Sequence, residues 1–376
     1  MKKVYAKNKK TDCLLLIAAA FFAALGIFFS LKFSENTKLP YADVQLRAAK
    51  RMEKALEAVV DYCDKNSIAI QDEDINQTGL IGPEWTALTT SLGILDAKRT
   101  ALAPDWAALM VKFYKDAGLK EGDTVCAGFS GSFPGLCIAT ICAANEMDLN
   151  IKAIPSIGSS MYGATREKLN IITILTLLQN ESIIDCDILA VSLGGDFDSG
   201  GGNILFPDSR KIMMGIAENS GFQIIYEESV ADSIKKRLSI YGDDVSCFVN
   251  VGGASVNMGI GSYGVAFPNG LVRTLKYIPS FEERGLMFEY LVRGVDVIHL
   301  LNIKDLAAKN GLSIDPTPLP KAGESFVYYT ITKNKTPAFI SVLITIILIF
   351  ILIHQKITFR KKAMDRIMED INRRFS

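Results

Sequence analysis

The residues best suited to chemistry lie in a glycine-rich stretch that runs from Thr124 to Gly135. Its sequence, TVCAGFSGSFPG, places an apolar run before Ser130, Gly131 and Ser132, and a proline after them. This order predicts a buried strand, a tight turn and the first turn of a helix. The serine hydroxyls and the free N–H groups at the helix start would then bind an anion. A tight strand-to-helix turn without a ligand is the simpler interpretation.

Three further polar or glycine-rich loops follow predicted strands. Because the carboxyl ends of parallel strands meet at one edge of a sheet, we expect these loops and the first one to line a common crevice. Hydroxyl and amide groups there suit a ligand that bears carboxylate or phosphate groups. The predicted ligand-binding residues are Ser130, Gly131, Ser132, Ser159, Ser160, Asp196, Asp198, Asn250 and Ser255, with Asn257 beside them.

The two carboxylates of the third loop allow two interpretations. Asp196 and Asp198 could hold a divalent cation or act as a general base. The pattern favours the other interpretation, in which an Asp side chain hydrogen-bonds its own loop. No set of Cys and His residues has the spacing of a zinc site, so no metal site is predicted, and the cofactor stays unknown.

Several familiar enzyme classes do not fit the sequence. The only histidines, His299 and His354, lie in apolar segments, so a serine–histidine–aspartate triad has no assignable base. There is no G-x-S-x-G elbow and no Gly-Lys-Ser/Thr of a P-loop. Three classes stay open: a binding protein, an enzyme that uses Ser130, Ser132 or an Asp-bound metal, and a structural scaffold.

An alternation of strands and helices would position the loops. Strands are predicted at 124–127, 151–157, 187–193, 222–226 and 245–251. The order predicts an α/β fold with a parallel, Rossmann-like three-layer sheet.

Residues 123–320 would form this α/β domain, and 32–122 a helical lead-in and cover. Segments 256–260 and 264–267 are expected to add a hairpin or edge strands. The proline-rich 315–320 is expected to be a stiff spacer before a linker at 321–337.

Two apolar segments, 13–31 and 338–355, predict transmembrane helices, the second being short enough to need tilt or thinning of the bilayer. Basic residues in 1–12 and 356–376 flank them, which predicts that both termini are cytoplasmic and that the domain between lies outside the cytoplasmic membrane. We interpret the first segment as an uncleaved anchor rather than a signal peptide. The tail from Ile357 to Ser376 has the pattern of an amphipathic basic helix, and an ordinary solvated tail is the alternative interpretation.

Composition sets further bounds. With 376 residues, of which 49% are hydrophobic, the chain can bury a substantial core. Its formal net charge of zero and the absence of a basic, aromatic patch argue against nucleic-acid binding. Six of the seven cysteines lie outside the first apolar segment, and their positions within predicted strands and helices indicate buried free thiols rather than a disulfide framework.

Four sequence blocks together resemble one known family. They are IGPEWTALTT from Ile81, APDWAAL from Ala103, GFSGSFPG from Gly128 and SSMYGAT from Ser159. In this order they are similar to the poly-gamma-glutamate system protein family, over about residues 80–265. The resemblance implies a membrane-anchored accessory of the poly-gamma-glutamate ligase and its membrane subunits, which handles the anionic polymer on the outer face during synthesis or export. It implies no catalytic residue. An amide hydrolase or transferase that cleaves, releases or transfers the polymer is the alternative function, and a structural scaffold of the membrane complex is another.

Overall fold

A computed structural model describes residues 2–203 and 205–375. They divide into two compact units. One is Leu39–Tyr328, and the other combines the residues before Leu39 with those after Tyr328. The strands are, in chain order, β1 (Glu35–Lys38), β2 (Thr89–Ser91), β3 (Thr124–Ser130), β4 (Asn150–Ser156), β5 (Ser159–Ser160), β6 (Asp187–Ile188), β7 (Val191–Ser192), β8 (Ile224–Ile225), β9 (Cys247–Val251), β10 (Gly270–Val272), β11 (Asp296–Leu300) and β12 (Tyr329–Thr332).

Helices separate most of these strands, and a short 3₁₀ turn at Phe326–Tyr328 precedes β12. The helices are α1 (Lys2–Lys32), α2 (Ala42–Lys65), α3 (Leu95–Thr100), α4 (Asp105–Asp116), α5 (Pro134–Glu146), α6 (Ile171–Asn180), α7 (Ser209–Asn219), α8 (Val230–Tyr241), α9 (Ser255–Met258), α10 (Tyr263–Ala266), α11 (Leu286–Val292), α12 (Ile303–Asn310) and α13 (Thr336–Phe375).

The main sheet has the strand order β10-β11-β9-β3-β4-β7-β8, with β6 also paired to β4. All neighbours in it are parallel except β10 and β11. The predicted parallel sheet is therefore confirmed. From β3 the chain proceeds outwards through β4, β7 and β8, whereas β9 and β11 lie on the other side, so the strand order reverses between β3 and β9. In open α/β sheets such a switch point is where ligands bind.

Helices cover both faces of this sheet because its strands are apolar on both faces. In β3, Val125 and Ala127 belong to a core cluster that includes α2, α4 and α5, whereas Cys126 lies in a second cluster with residues of α8 and α11. A parallel sheet buried on both faces requires such strands. The N-terminal helices thus cover one face, as the sequence predicts.

Two segments after β9 are not the strands that the sequence predicts. Residues 256–260 and 264–267 were expected to form a hairpin or edge strands, but they overlap the short helices α9 and α10. Gly259 and Gly261 have φ angles of +93° and +83°, which interrupt an extended chain. The edge strand is instead β10, which pairs antiparallel with β11.

The proline-rich segment at 315–320 belongs to the Leu39–Tyr328 unit and packs within it instead of forming a free spacer. The Asp315 carboxylate lies 2.5 Å from the Arg99 guanidinium. Further on, the Asp105 carboxylate accepts hydrogen bonds from the N–H groups of Gly323 and Ser325, both at 2.9 Å, and from the Tyr328 hydroxyl. The proline content of the segment does not reveal these charged contacts. The predicted helical cover and the predicted α/β domain lie together in one compact unit.

The two ends of the chain form the other unit. Residues Thr11–Lys32 of α1 and Thr336–Arg373 of α13 are each long and apolar enough to cross a membrane. The strands β1 and β12 pair antiparallel in the same unit, which the sequence did not predict. Helix α13 continues through the basic tail, so the tail is helical as predicted.

The six cysteines outside α1 are buried free thiols, as predicted. Burial raises the pKa of Cys126 and of Cys142 to about 12. Because the thiolate is the reactive form, these side chains serve as small apolar core residues.

Candidate functional site

The loops at the carboxyl edge of the main sheet surround one cavity of about 570 Å³. Loops after β3, β4, β7, β9 and β11 all contribute to its wall. Ser130 and Asp196 both line it, so the predicted common crevice is confirmed. Its size is that of a site for a small ligand. The predicted site residues at this cavity are Ser130, Ser132, Ser160, Asp196 and Ser255.

A buried lysine reaches this cavity from α3. Lys98 is only 3% exposed. Its Nζ lies 2.5 Å from Ser160 Oγ, donates to the carbonyl oxygen of Ser132, and lies 4.1 Å from the centroid of the Phe133 ring. None of these three partners carries a negative charge. Burial therefore lowers the pKa of Lys98 to about 7. At neutral pH, Lys98 is a neutral amine in a large fraction of the protein molecules.

A small second sheet brings Lys98 and Ser160 together. The strand β2 pairs in parallel with β5, which carries Ser160. At Gly93, just after β2, an added Cβ would lie 2.4 Å from the carbonyl oxygen of Met161, so only glycine fits. The chain then turns directly into α3. The close approach at Gly93 thus sets Lys98 beside Ser160.

Three serines form a connected group next to the lysine. Ser132 Oγ accepts a hydrogen bond of 3.0 Å from the N–H of Ser160 and lies 3.0 Å from Ser130 Oγ. Ser130 Oγ also accepts the N–H of Ser132 at 3.2 Å. We call Lys98, Ser130, Ser132 and Ser160 the serine–lysine group. The turn itself needs glycine, because a Cβ at Gly131 would lie 2.9 Å from the Ile157 carbonyl oxygen.

The anion cradle predicted at this loop requires free N–H groups, but those of residues 131–133 donate within the protein. The N–H of Gly131 donates to the Ser156 carbonyl at 3.1 Å, and that of Ser132 to Ser130 Oγ. The N–H of Phe133 donates to the Ser130 carbonyl at 3.3 Å. The following residue is a proline, which has no N–H. The Lys98 amine, which is only partly protonated at neutral pH, donates to the Ser132 carbonyl of this loop instead.

The two carboxylates of the third loop point to different environments. Asp198 is buried, pairs with Arg237 at 2.8 Å, and accepts from the hydroxyls of Ser192 and Ser233 at 2.8 and 2.9 Å. Asp196 is exposed at the cavity. They therefore do not converge on one cation. In residues 2–203 and 205–375, no group of three or more His, Cys, Asp or Glu residues is arranged to hold a metal ion.

Two predicted site residues support the cavity wall from behind. The Ser159 hydroxyl is fully buried and donates to the Ser160 carbonyl at 2.8 Å. Asn250 donates to the Gly252 carbonyl at 2.8 Å, accepts from Asn257 at 2.8 Å and contacts His299 Nδ1 at 2.9 Å. Burial lowers the pKa of His299 to about 4, so this histidine is neutral. Both predicted residues hold loops in place rather than face the cavity.

Comparison with known proteins identifies no relative. No family model, curated protein or solved structure matches this chain. Its function must therefore be inferred from the serine–lysine group and the surrounding cavity.

Sequence reasoning missed Lys98, the residue on which the chemistry of the site depends. One signal was available. Lys98 lies three residues after Leu95 and four before Leu102, which is the spacing of the buried face of a helix. A lysine on a buried helix face either pairs with a carboxylate or has a perturbed pKa. A perturbed pKa is typical of functional sites.

Proposed function

We propose that the cavity is the active site of a serine–lysine acyl-transfer enzyme that breaks an amide or ester bond. The observation that supports this is the 2.5 Å contact between Lys98 Nζ and Ser160 Oγ, in a buried setting that lowers the pKa of the lysine to about 7. A serine hydroxyl is a weak nucleophile until an adjacent base removes its proton, and a lysine serves as that base when it is neutral.

The reaction would proceed in two acyl transfers. Ser160 Oγ attacks the substrate carbonyl carbon while Lys98 Nζ takes the hydroxyl proton. The bond from this carbon to the leaving nitrogen or oxygen then breaks, and Lys98 returns its proton to the leaving group. Water or an acceptor amine next attacks the acyl-serine ester and gives its proton to Lys98, which passes it to Ser160 as the acyl group leaves.

The other two serines are placed to assist these steps. Ser130 and Ser132 both line the cavity, and Ser132 Oγ is hydrogen-bonded to the N–H of Ser160. Their hydroxyls are the donors that we propose for the negative oxygen of the tetrahedral intermediate. Loss of one such donor lowers kcat by roughly a hundredfold to a thousandfold in known serine enzymes.

Active-site labelling tests the proposal directly. The full-length protein should be covalently modified by a fluorophosphonate probe, and mass spectrometry should place the label on Ser160. Ser160→Ala and Lys98→Met should abolish labelling, whereas Ser239→Ala and Lys54→Met, at exposed positions on α8 and α2, should retain it. Unchanged labelling of Ser160→Ala would contradict the proposal.

A second candidate function is the polymer-handling role that the family resemblance implies, with the ligase and its membrane subunits as partners. It is supported by Lys304 and by the protonated fraction of Lys98, both of which line the cavity; the Lys304 ammonium also pairs with Asp96 at 2.8 Å. Calorimetry should then find tighter binding of glutamate oligomers than of glutamine oligomers, with affinity that falls as salt rises. The two functions combine if the polymer's own amide bond is the substrate. A protein that neither binds the oligomers nor reacts with the probe would be a scaffold.

We further propose that α1 and α13 anchor the protein in the cytoplasmic membrane with both termini inside. The basic residues before the apolar part of α1 and after that of α13 support this orientation. Reporter fusions at residue 5 and residue 376 test it, and an external reporter at either end would contradict it.

We also propose that the main sheet is a variant of the Rossmann-like arrangement. The switch point between β3 and β9 and the helices on both faces support this classification. The variant differs in having β4, β7 and β8 in succession beside the first strand, whereas the usual order places only two there.

A further inference from the structure

Four large apolar side chains surround the mouth of the cavity. They are Leu92, Ile94, Phe197 and Ile260, and all of them line it. Leu92, Ile94 and Phe197 leave 78%, 63% and 62% of their surface exposed. We call these four residues the apolar rim. A cluster of exposed apolar side chains around a cavity marks a binding surface, whereas single exposed ones are ordinary.

The rim comes from three separate parts of the chain, so one unusual loop does not account for it. Leu92 and Ile94 lie between β2 and α3, directly before the helix that carries Lys98. Phe197 lies in the loop after β7, and Ile260 follows α9. These segments share only their position around the serine–lysine group.

Phe197 is held at the rim by its own loop. It has a φ angle of +54°, and its neighbour Asp198 has +61°, a backbone conformation that is costly for residues other than glycine. The buried contacts of Asp198 with Arg237, Ser192 and Ser233 fix the loop in this conformation. The buried contacts of Asp198 therefore hold a loop conformation that leaves the Phe197 ring exposed at the cavity.

We propose that the apolar rim binds the acyl part of the substrate, and that this part is an apolar alkyl or aryl chain. The inference rests on the proposed acyl-transfer function. The scissile carbonyl would lie at Ser160, and the chain would extend outwards over Leu92, Ile94 and Phe197. A polyglutamate acyl group, which carries a carboxylate on each residue, would gain little from such a rim.

Esters of graded chain length test the proposal. The full-length protein in lipid nanodiscs is assayed with p-nitrophenyl acetate, butanoate and hexanoate, and kcat/KM is measured for each. Burial of one methylene is worth about fourfold, so partial burial of the chain should raise kcat/KM about tenfold or more from acetate to hexanoate. The double variant Leu92→Ser/Phe197→Ser should lower the hexanoate-to-acetate ratio at least about threefold.

Leu205→Ser is the matched control, because Leu205 is as exposed as Phe197, at 62%, but lies outside the cavity wall. It should keep the wild-type ratio. A flat chain-length series, or faster turnover of a γ-glutamyl ester than of hexanoate, would overturn the apolar acyl class while leaving the serine–lysine mechanism intact.

If no ester is hydrolysed, the serine–lysine mechanism is refuted. A separate binding measurement then still tests the apolar rim. Calorimetry on Ser160→Ala should then find hexanoate bound more tightly than acetate. Equal affinities for the two acids would overturn the proposal for the rim.

Discussion

Lys98 Nζ lies 2.5 Å from Ser160 Oγ although the two residues are 62 positions apart in the chain. The contact depends on the pairing of β2 with β5 and on the close approach at Gly93. It places the Lys98 amine, whose pKa is lowered, beside the Ser160 hydroxyl. Both line the cavity at the carboxyl edge of the main sheet, whose strand order reverses between β3 and β9.

The first prediction concerns the pH dependence of ester hydrolysis. Lys98 acts as a base only when it is neutral, and its pKa is lowered to about 7. The value of kcat/KM should therefore rise with pH through about 7 and level off above it. Lys98→Arg should reduce kcat/KM by at least about a hundredfold, because a guanidinium stays protonated. If kcat/KM of the wild-type enzyme does not rise with pH through about 7, Lys98 is not the base.

The second prediction concerns the stability cost of the same lysine. Its pKa is about 7 in the folded protein against an ordinary 10.5, so the unfolded chain binds the proton more strongly. Stability due to Lys98 is therefore present above pH 10.5 and lost as pH falls from there to about 7. At pH 7 the cost is on the order of 3 to 5 kcal/mol.

Lys98→Met should accordingly abolish activity yet unfold at an equal or higher urea concentration than the wild-type protein at pH 7. Lys54→Met, at an exposed site, is the control and should leave both properties unchanged. A Lys98→Met variant that is inactive and strongly destabilised would indicate a structural role for the lysine.

The elements that the sequence predicted correctly are those with local signals. Pro134 begins α5, Gly118 ends the segment after α4 with a φ angle of +82°, and the apolar run at Thr124 forms β3. The common crevice also followed from local signals, because strand alternation alone places the loops at one edge. These features required no knowledge of distant contacts.

The chemistry of the site was not predictable in the same way. The Gly128–Gly135 loop was expected to offer free N–H groups, but Ser130 and Ser156 accept those of residues 131–133, and only the folded chain determines these bonds. The lysine was missed because its spacing from Leu95 and Leu102 is the one sign of a buried helix face there, and α3 itself has only six residues. A pKa lowered by burial cannot be inferred until burial is known.

The third prediction concerns the buried pair of Asp198 and Arg237. Both side chains are 3% exposed, and together they fix the loop that carries Asp196 and Phe197. Arg237→Met leaves a buried carboxylate unpaired and should lower the free energy of unfolding by about 3 to 5 kcal/mol. Adding Asp198→Asn, which keeps an amide that tolerates the left-handed backbone, should recover much of the loss in urea unfolding. Additive losses in the double variant would show that the two residues do not act as a pair.

The last prediction concerns the turn at Gly131, which carries Ser130 and Ser132. At Gly131 an added Cβ would lie 2.9 Å from the Ile157 carbonyl oxygen and 3.3 Å from that of Gly158, whereas at Gly215, within α7, it would meet nothing within 4 Å. Gly131→Ala should therefore force the loop away from β4, weaken the contact of Ser132 with Ser160, and reduce fluorophosphonate labelling at least about tenfold. Gly215→Ala should leave labelling unchanged and stabilise the protein by up to about 1 kcal/mol, because alanine favours the helix. Wild-type labelling in Gly131→Ala would show that the position of this loop does not control the reactivity of Ser160.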